Sequence, residues 1–170
     1  MTTESKKSRS DVISDLALGA MLVALAVVGS TFSIPFLTSR LSPVQHLVNI
    51  LAAYRFSEGK AVGLAFIASL IRNILSLGSI LAFPGSMFGA YLAALLYRKT
   101  SSVLFSILGE ILGTGLLGSL TAYLLAKNIL NASSVGALSF VIPFLLSSLL
   151  GAITAGLMLK YFDFYKSKKR

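Results

Sequence analysis

Six polar residues interrupt otherwise apolar stretches of this chain: Gln45, His46, Asn49, Arg72, Asn73 and Glu110. A charged residue at the centre of a membrane helix opposes insertion by roughly 2.5 to 3.5 kcal/mol, so such side chains face a protein interior, a cavity or a partner. Gln45 and Asn49 are four apart and His46 and Asn49 three apart, so on a helix the three share one face. Interhelical hydrogen bonding alone is worth about 0.6 kcal/mol per contact in membranes. Three amide or imidazole groups within five residues exceed what such packing needs, and they point to a polar ligand. Arg72 and Asn73 fall at a similar depth in the next stretch, and Ser86 follows Pro84-Gly85, a pair expected to break or kink a helix start. Glu110 and Thr114, four apart, share a face of their own stretch. Two partners are open to the Glu110 carboxylate: Arg72 and His46.

Several chemistries are excluded or disfavoured. The chain has no cysteine and one histidine, so no disulfide or thiolate site forms, and a zinc or iron centre with three protein ligands lacks donors. The P-loop pattern is absent: Gly59-Lys60-Ala61 lacks both the upstream glycine and the hydroxyl that ligates magnesium, so any transport energy comes from an ion gradient or a partner. Ser86 with His46 would suit an intramembrane serine protease, but Pro84-Gly85-Ser86 lacks the Gly-x-Ser-Gly arrangement of rhomboid proteases. Glu110 with His46 would suit a proton-coupled carrier that works alone.

The elements that must position these residues are membrane helices. Hydrophobic residues make up 55% and charged residues 12% of the 170, against about 25% charged in soluble domains. Apolar stretches run over 12–36, 43–56, 61–77, 80–97, 103–126 and 135–161, where a helix needs roughly 20 residues to cross the hydrocarbon. The second is short and polar, which predicts a helix shielded by its neighbours. With the N-terminus inside, twelve basic residues fall on the cytoplasmic side and only Arg40 and Lys127 outside, with Arg72 within a span. The expectation is an all-α integral membrane protein with six transmembrane helices and both termini cytoplasmic. Residues 1–11 are read as a disordered tail in which Ser10 or Asp11 caps the first helix, 12–161 as the membrane domain and 162–170 as a basic tail. A signal peptide ending near Ser30 is the lesser reading, because apolar character resumes through Phe32 to Leu37. The net charge of +9 is explained by topology rather than by nucleic acid. Ala20 and Ala24 lie four apart on the first helix and permit close approach of another helix, within the protein or from a partner.

The ordered motifs P-V-Q-H-L-V-N-I-L-A-A, R-N, L-A-F-P-G-S-M-F-G-A and G-E-I-L-G-T-G resemble the ThiW family, substrate-binding S components of energy-coupling factor (ECF) transporters. The resemblance spans nearly the whole chain and departs from relatives at Leu41-Ser42, where they carry a cysteine-containing turn. It implies a multi-pass protein of a bacterial plasma membrane, with no enzyme activity or cofactor. Such a protein captures a thiamine precursor, the hydroxyethylthiazole moiety, for import with a membrane coupling subunit and two ATPase subunits. It also implies that Ala20 and Ala24 dock on the coupling subunit. A thiazole asks for one or two donors and an aromatic wall. Gln45, His46, Asn49, Asn73 and Ser86 then become the polar contacts, Phe83 or Phe36 the wall, and Glu110 and Thr114 further site residues. Arg72 suits a phosphate or carboxylate, or a pairing with Glu110; an uncharged thiazole favours the pairing.

Overall fold

The computed structural model describes residues 8–37, 39–132 and 135–168, with the side chains of the last helix described through Tyr161. Helix α1 (Arg9–Gly29) is capped by Ser8, whose hydroxyl accepts the Ser10 N–H. The cap therefore falls before Ser10 and Asp11, and residues 9–11 are helical rather than part of a disordered tail; residues 1–7 of that tail lie outside the described residues. A 3-10 turn (Ser30–Phe32) leads into strands β1 (Ile34–Phe36) and β2 (Ser39–Leu41), which pair antiparallel with Pro35 opposite Arg40. Then come α2 (Pro43–Arg55), α3 (Glu58–Ile74), a second 3-10 turn (Ile80–Ala82) and α4 (Phe83–Thr100). Helices α5 (Val103–Leu112) and α6 (Ser119–Asn128) join through a π segment (Gly113–Gly118) into one rod, and α7 (Leu138–Lys168) closes the bundle, its backbone helical well into the stretch read as a basic tail.

The side-chain distribution is that of a membrane bundle. Leu16, Met21, Val28, Ile74, Leu104, Leu138 and Leu157 are exposed, while Ala26, Ala61, Ala90, Ala93, Ala94, Ala122, Ala152 and Ala155 are fully buried. In water such an exposed apolar surface drives aggregation; in lipid, small residues inside let helices approach and large ones outside meet acyl chains. Gly109 shows how close the approach is: a Cβ there would lie 2.5 Å from the Leu92 carbonyl oxygen of α4.

Among the described residues, four helical rods have the length and apolar character to cross a membrane, over Arg9–Phe32, Ile80–Thr100, Val103–Asn128 and Leu138–Tyr161. Helices α2, of 13 residues, and α3, of 17, are shorter; at 1.5 Å per residue they reach about 20 and 25 Å, short of the ~30 Å hydrocarbon layer. Helix α2 is central, packed on α1, α4, α5 and α7, and its residues 45–50, 52 and 53 are buried, as expected of a shielded helix. Two local expectations are corrected. The loop after α1 contains a hairpin of two three-residue strands within an otherwise all-helical protein. Pro84 sits in the first turn of α4, where it has no backbone N–H to leave unpaired, and so starts the helix rather than breaking it.

Candidate functional site

Pro43 opens α2 and sets its first turns facing α3, α5 and α7, so Gln45, His46 and Asn49 point inward. His46 Nδ1 lies 2.8 Å from Glu110 Oε1. Asn49 Nδ2 donates to the same oxygen at 3.1 Å and to the Ser86 carbonyl at 3.2 Å. The Thr114 hydroxyl is 2.9 Å from Glu110 Oε1 and 3.1 Å from the Gly85 carbonyl, sharing its single hydrogen between them. Three side chains, two from α2 and one from the π segment, thus converge on one carboxylate oxygen of a residue that is 0% exposed. With that carboxylate ionised, His46 Nδ1 carries the donated proton and Nε2 is the ring's remaining nitrogen.

Two sequence features make room for this. Gly89 of α4 leaves space for the carboxylate: a Cβ there would lie 2.6 and 2.7 Å from the two Glu110 oxygens. The π segment places Thr114 one turn beyond Glu110 and against α4; such widened turns recur at functional sites.

Above the network, at the hairpin end, a cavity of about 30 Å³ is lined by Ser39 and Arg40 of β2, Ser42, Gln45, His46, Arg72, Ala82, Thr114 and, from α7, Pro143, Phe144 and Ser147. That volume holds a water or two, so a ring-sized ligand enters only as lining side chains move. Arg72 is 4% exposed. Its Nη2 donates to Ser42 Oγ at 3.1 Å, while its buried Nε has no partner among the described residues. The Ser42 N–H in turn donates to Ser147 Oγ at 2.8 Å. This hydrogen bond from a guanidinium, worth roughly 1.5 to 3 kcal/mol, at most matches the roughly 2.5 to 3.5 kcal/mol insertion penalty of a membrane arginine and leaves Nε unserved.

The candidate residues therefore separate. Gln45, His46, Arg72 and Thr114 line the cavity, while Asn49 and Glu110 lie beneath it as the support of His46. The Arg72–Glu110 pairing does not form: Glu110 Oε1 is taken by His46, Oε2 is buried with no partner among the described residues, and Arg72 turns to Ser42. Asn73 is directed back to its own helix, donating to the Ser69 carbonyl at 2.8 Å. Ser86 contributes its carbonyl to Asn49, and its buried hydroxyl has no partner among the described residues, so no Ser86–His46 hydrogen bond exists for a protease. Phe83 packs edge-on against Phe66 at 5.3 Å and Phe36 is exposed in the hairpin; Phe144 is the aromatic residue of the cavity wall. Sequence reasoning missed Ser42, Ser147 and Phe144, and treated Arg40 as a loop charge only. Prolines at 43 and 143, each close to a missed residue, were the available signal.

The opposite end is basic. Asp15 of α1 is bridged to Arg55 at 2.7 Å and Lys60 at 3.3 Å, and Glu58 to Arg98 at 3.3 Å. From Asp15 an apolar groove of about 930 Å³ runs along α1 and α3, lined among others by Gly19, Ala20, Ala24, Gly63 and Leu64. Ala20 and Ala24 are exposed in it, so they do not serve packing within the chain.

Comparison with known proteins agrees with this architecture. The fold is similar to that of the S component of a bacterial ECF transporter, with a TM-score of 0.73 at 16% identity, covering 92% of this chain and 98% of that one. No protein of curated function matches the sequence. The family model described as thiamine-precursor transporter protein (ThiW) matches residues 16–164. This multi-pass membrane protein, with its buried His46–Glu110 network and S-component fold, belongs to the ThiW family.

Proposed function

We propose that this chain is the substrate-capture subunit of an ECF-type vitamin transporter in a bacterial plasma membrane, and that it takes up the hydroxyethylthiazole moiety of thiamine. The observation that carries the reading is the polar cavity at the hairpin end, closed below by the His46–Glu110–Asn49–Thr114 network. In it His46 Nε2, Gln45 and Thr114 meet the ring nitrogen and the polar substituent, and Phe144 packs on the ring. The positive-inside distribution supports six membrane-crossing segments with both termini in the cytoplasm and the cavity facing outward.

Ala20 and Ala24 support docking of a membrane coupling subunit in the α1–α3 groove, where an apolar helix finds small residues and no side chain to displace. Two ATPase subunits then supply the energy, consistent with a chain that carries no P-loop. The test is reconstitution in vesicles. Ligand accumulation is expected only when the coupling subunit, ATPases and ATP are supplied. Accumulation by this protein alone, driven by a proton gradient, would instead establish the self-sufficient carrier that a His–Glu pair also permits.

A further inference from the structure

Charge is distributed unevenly between the two ends of the molecule. Of the six acidic residues in the chain, Glu110 alone falls between Glu58 and Asp163; its Oε1 is occupied by His46, Asn49 and Thr114, while its buried Oε2 has no partner among the described residues. Asp15 and Glu58 are bound to arginine and lysine at the opposite end. The cavity wall therefore contains two arginines, Arg40 and Arg72, and no carboxylate. Arg72 is buried, and among the described residues it donates only to a serine hydroxyl and its Nε has no partner.

The neighbouring groups add donors. Ser42 Oγ accepts from Arg72 and Ser147 Oγ accepts the Ser42 N–H, and neither hydroxyl donates to a described residue, so each can offer its hydrogen to a ligand. The first turn of α2, a 13-residue helix, also borders the cavity through Ser42, Gln45 and His46, bringing the positive end of its dipole. A guanidinium presents planar paired donors that match an oxyanion better than any neutral acceptor.

We infer that the cavity between Arg72, Arg40, Ser42 and Ser147 is an oxyanion site, and that the captured precursor carries an anionic group, a phosphate monoester or a carboxylate, seated on Arg72. The inference deepens the capture reading and rests on it for the thiazole, though not for the anion. It replaces the assignment of Arg72 to a structural pair with Glu110, which the geometry removes.

The test is calorimetry on the purified full chain with four titrants: hydroxyethylthiazole, its phosphate ester, a thiazole carboxylate, and inorganic phosphate. At least one thiazole anion is expected to bind tenfold or more tighter than the neutral alcohol, with the two anions distinguishing phosphate from carboxylate. Arg72→Gln is expected to erase that preference and Arg72→Lys to keep part of it. Equal binding of alcohol and anions, or a preference unchanged in Arg72→Gln, would overturn the anion site while leaving thiazole capture standing. Inorganic phosphate binding as tightly as the thiazole phosphate would support the anion site and remove the thiazole. If Arg72→Gln fails to fold, the wild-type preference and its reduction in Arg40→Gln, on the exposed hairpin, decide the matter. No binding of any titrant overturns both readings.

Discussion

His46 Nδ1 and Glu110 Oε1 stand 2.8 Å apart across the α2–α5 contact, joining residues 64 positions apart in the chain. The pair is buried on both sides, and Asn49 and Thr114 bond the same Glu110 oxygen. Removing one partner of a buried pair leaves the others uncompensated, at roughly 3 to 5 kcal/mol. Glu110→Leu is therefore expected to lower the detergent melting temperature sharply. Glu110→Gln keeps an acceptor for the same donors and is expected to cost about 1 to 2 kcal/mol, with weaker ligand binding. Equal melting temperatures for the two variants would show that the network does not hold the bundle.

Gly89 provides the second prediction. A methyl at this position meets both Glu110 oxygens at 2.6 and 2.7 Å, whereas one at Gly63 meets nothing within 4 Å. Gly89→Ala is expected to destabilise the protein by about 1 to 3 kcal/mol through overpacking and to weaken binding. Gly63→Ala is expected to leave both within experimental error. Thermal melts of the two variants compared side by side check this.

Much of the site was legible because polar residues are conspicuous in an apolar chain. The spacing of Gln45, His46 and Asn49 predicted inward-facing residues on a short shielded helix, and all three are buried, within a run from Gln45 to Ile50 that is buried throughout. What the sequence did not decide was rotation between helices. Arg72 and His46 were both open as partners of Glu110, and the packing of α2 on α5 selects His46. Asn73, one residue from Arg72, turns about 100° away around α3 and bonds its own backbone. The hairpin was hidden for a different reason: its strands are three residues long, and its turn uses Leu37 at φ 52° where a glycine or asparagine would have signalled the bend. Ser42 and Ser147 were lost among many serines, which are common in membrane helices.

The α1–α3 groove is separate from the cavity in its lining residues. Filling it with Ala20→Leu and Ala24→Leu is expected to leave ligand binding by the isolated protein unchanged. Assembly with the coupling subunit is expected to fall tenfold or more, because a helix can no longer approach closely. Co-purification from detergent measures this, and normal assembly of the double variant would place docking elsewhere.

At the basic end, Asp15 is nearly buried while Arg55 and Lys60 are about half exposed, and the arginine contact is the shorter, at 2.7 against 3.3 Å. Arg55→Ala is expected to destabilise α1 docking by about 1 kcal/mol and Lys60→Ala by less, since solvent screens both. Hydrogen exchange over the first two turns of α1 would register the difference.

Capture of the thiazole half of thiamine is tested most directly by titrating the purified, folded protein with hydroxyethylthiazole and its phosphate, with thiamine and the pyrimidine half as controls. The account predicts saturable binding of at least one thiazole compound, none of the pyrimidine, and loss of binding in His46→Leu. Binding of the pyrimidine half alone, or of no compound by protein that melts cooperatively, would contradict it.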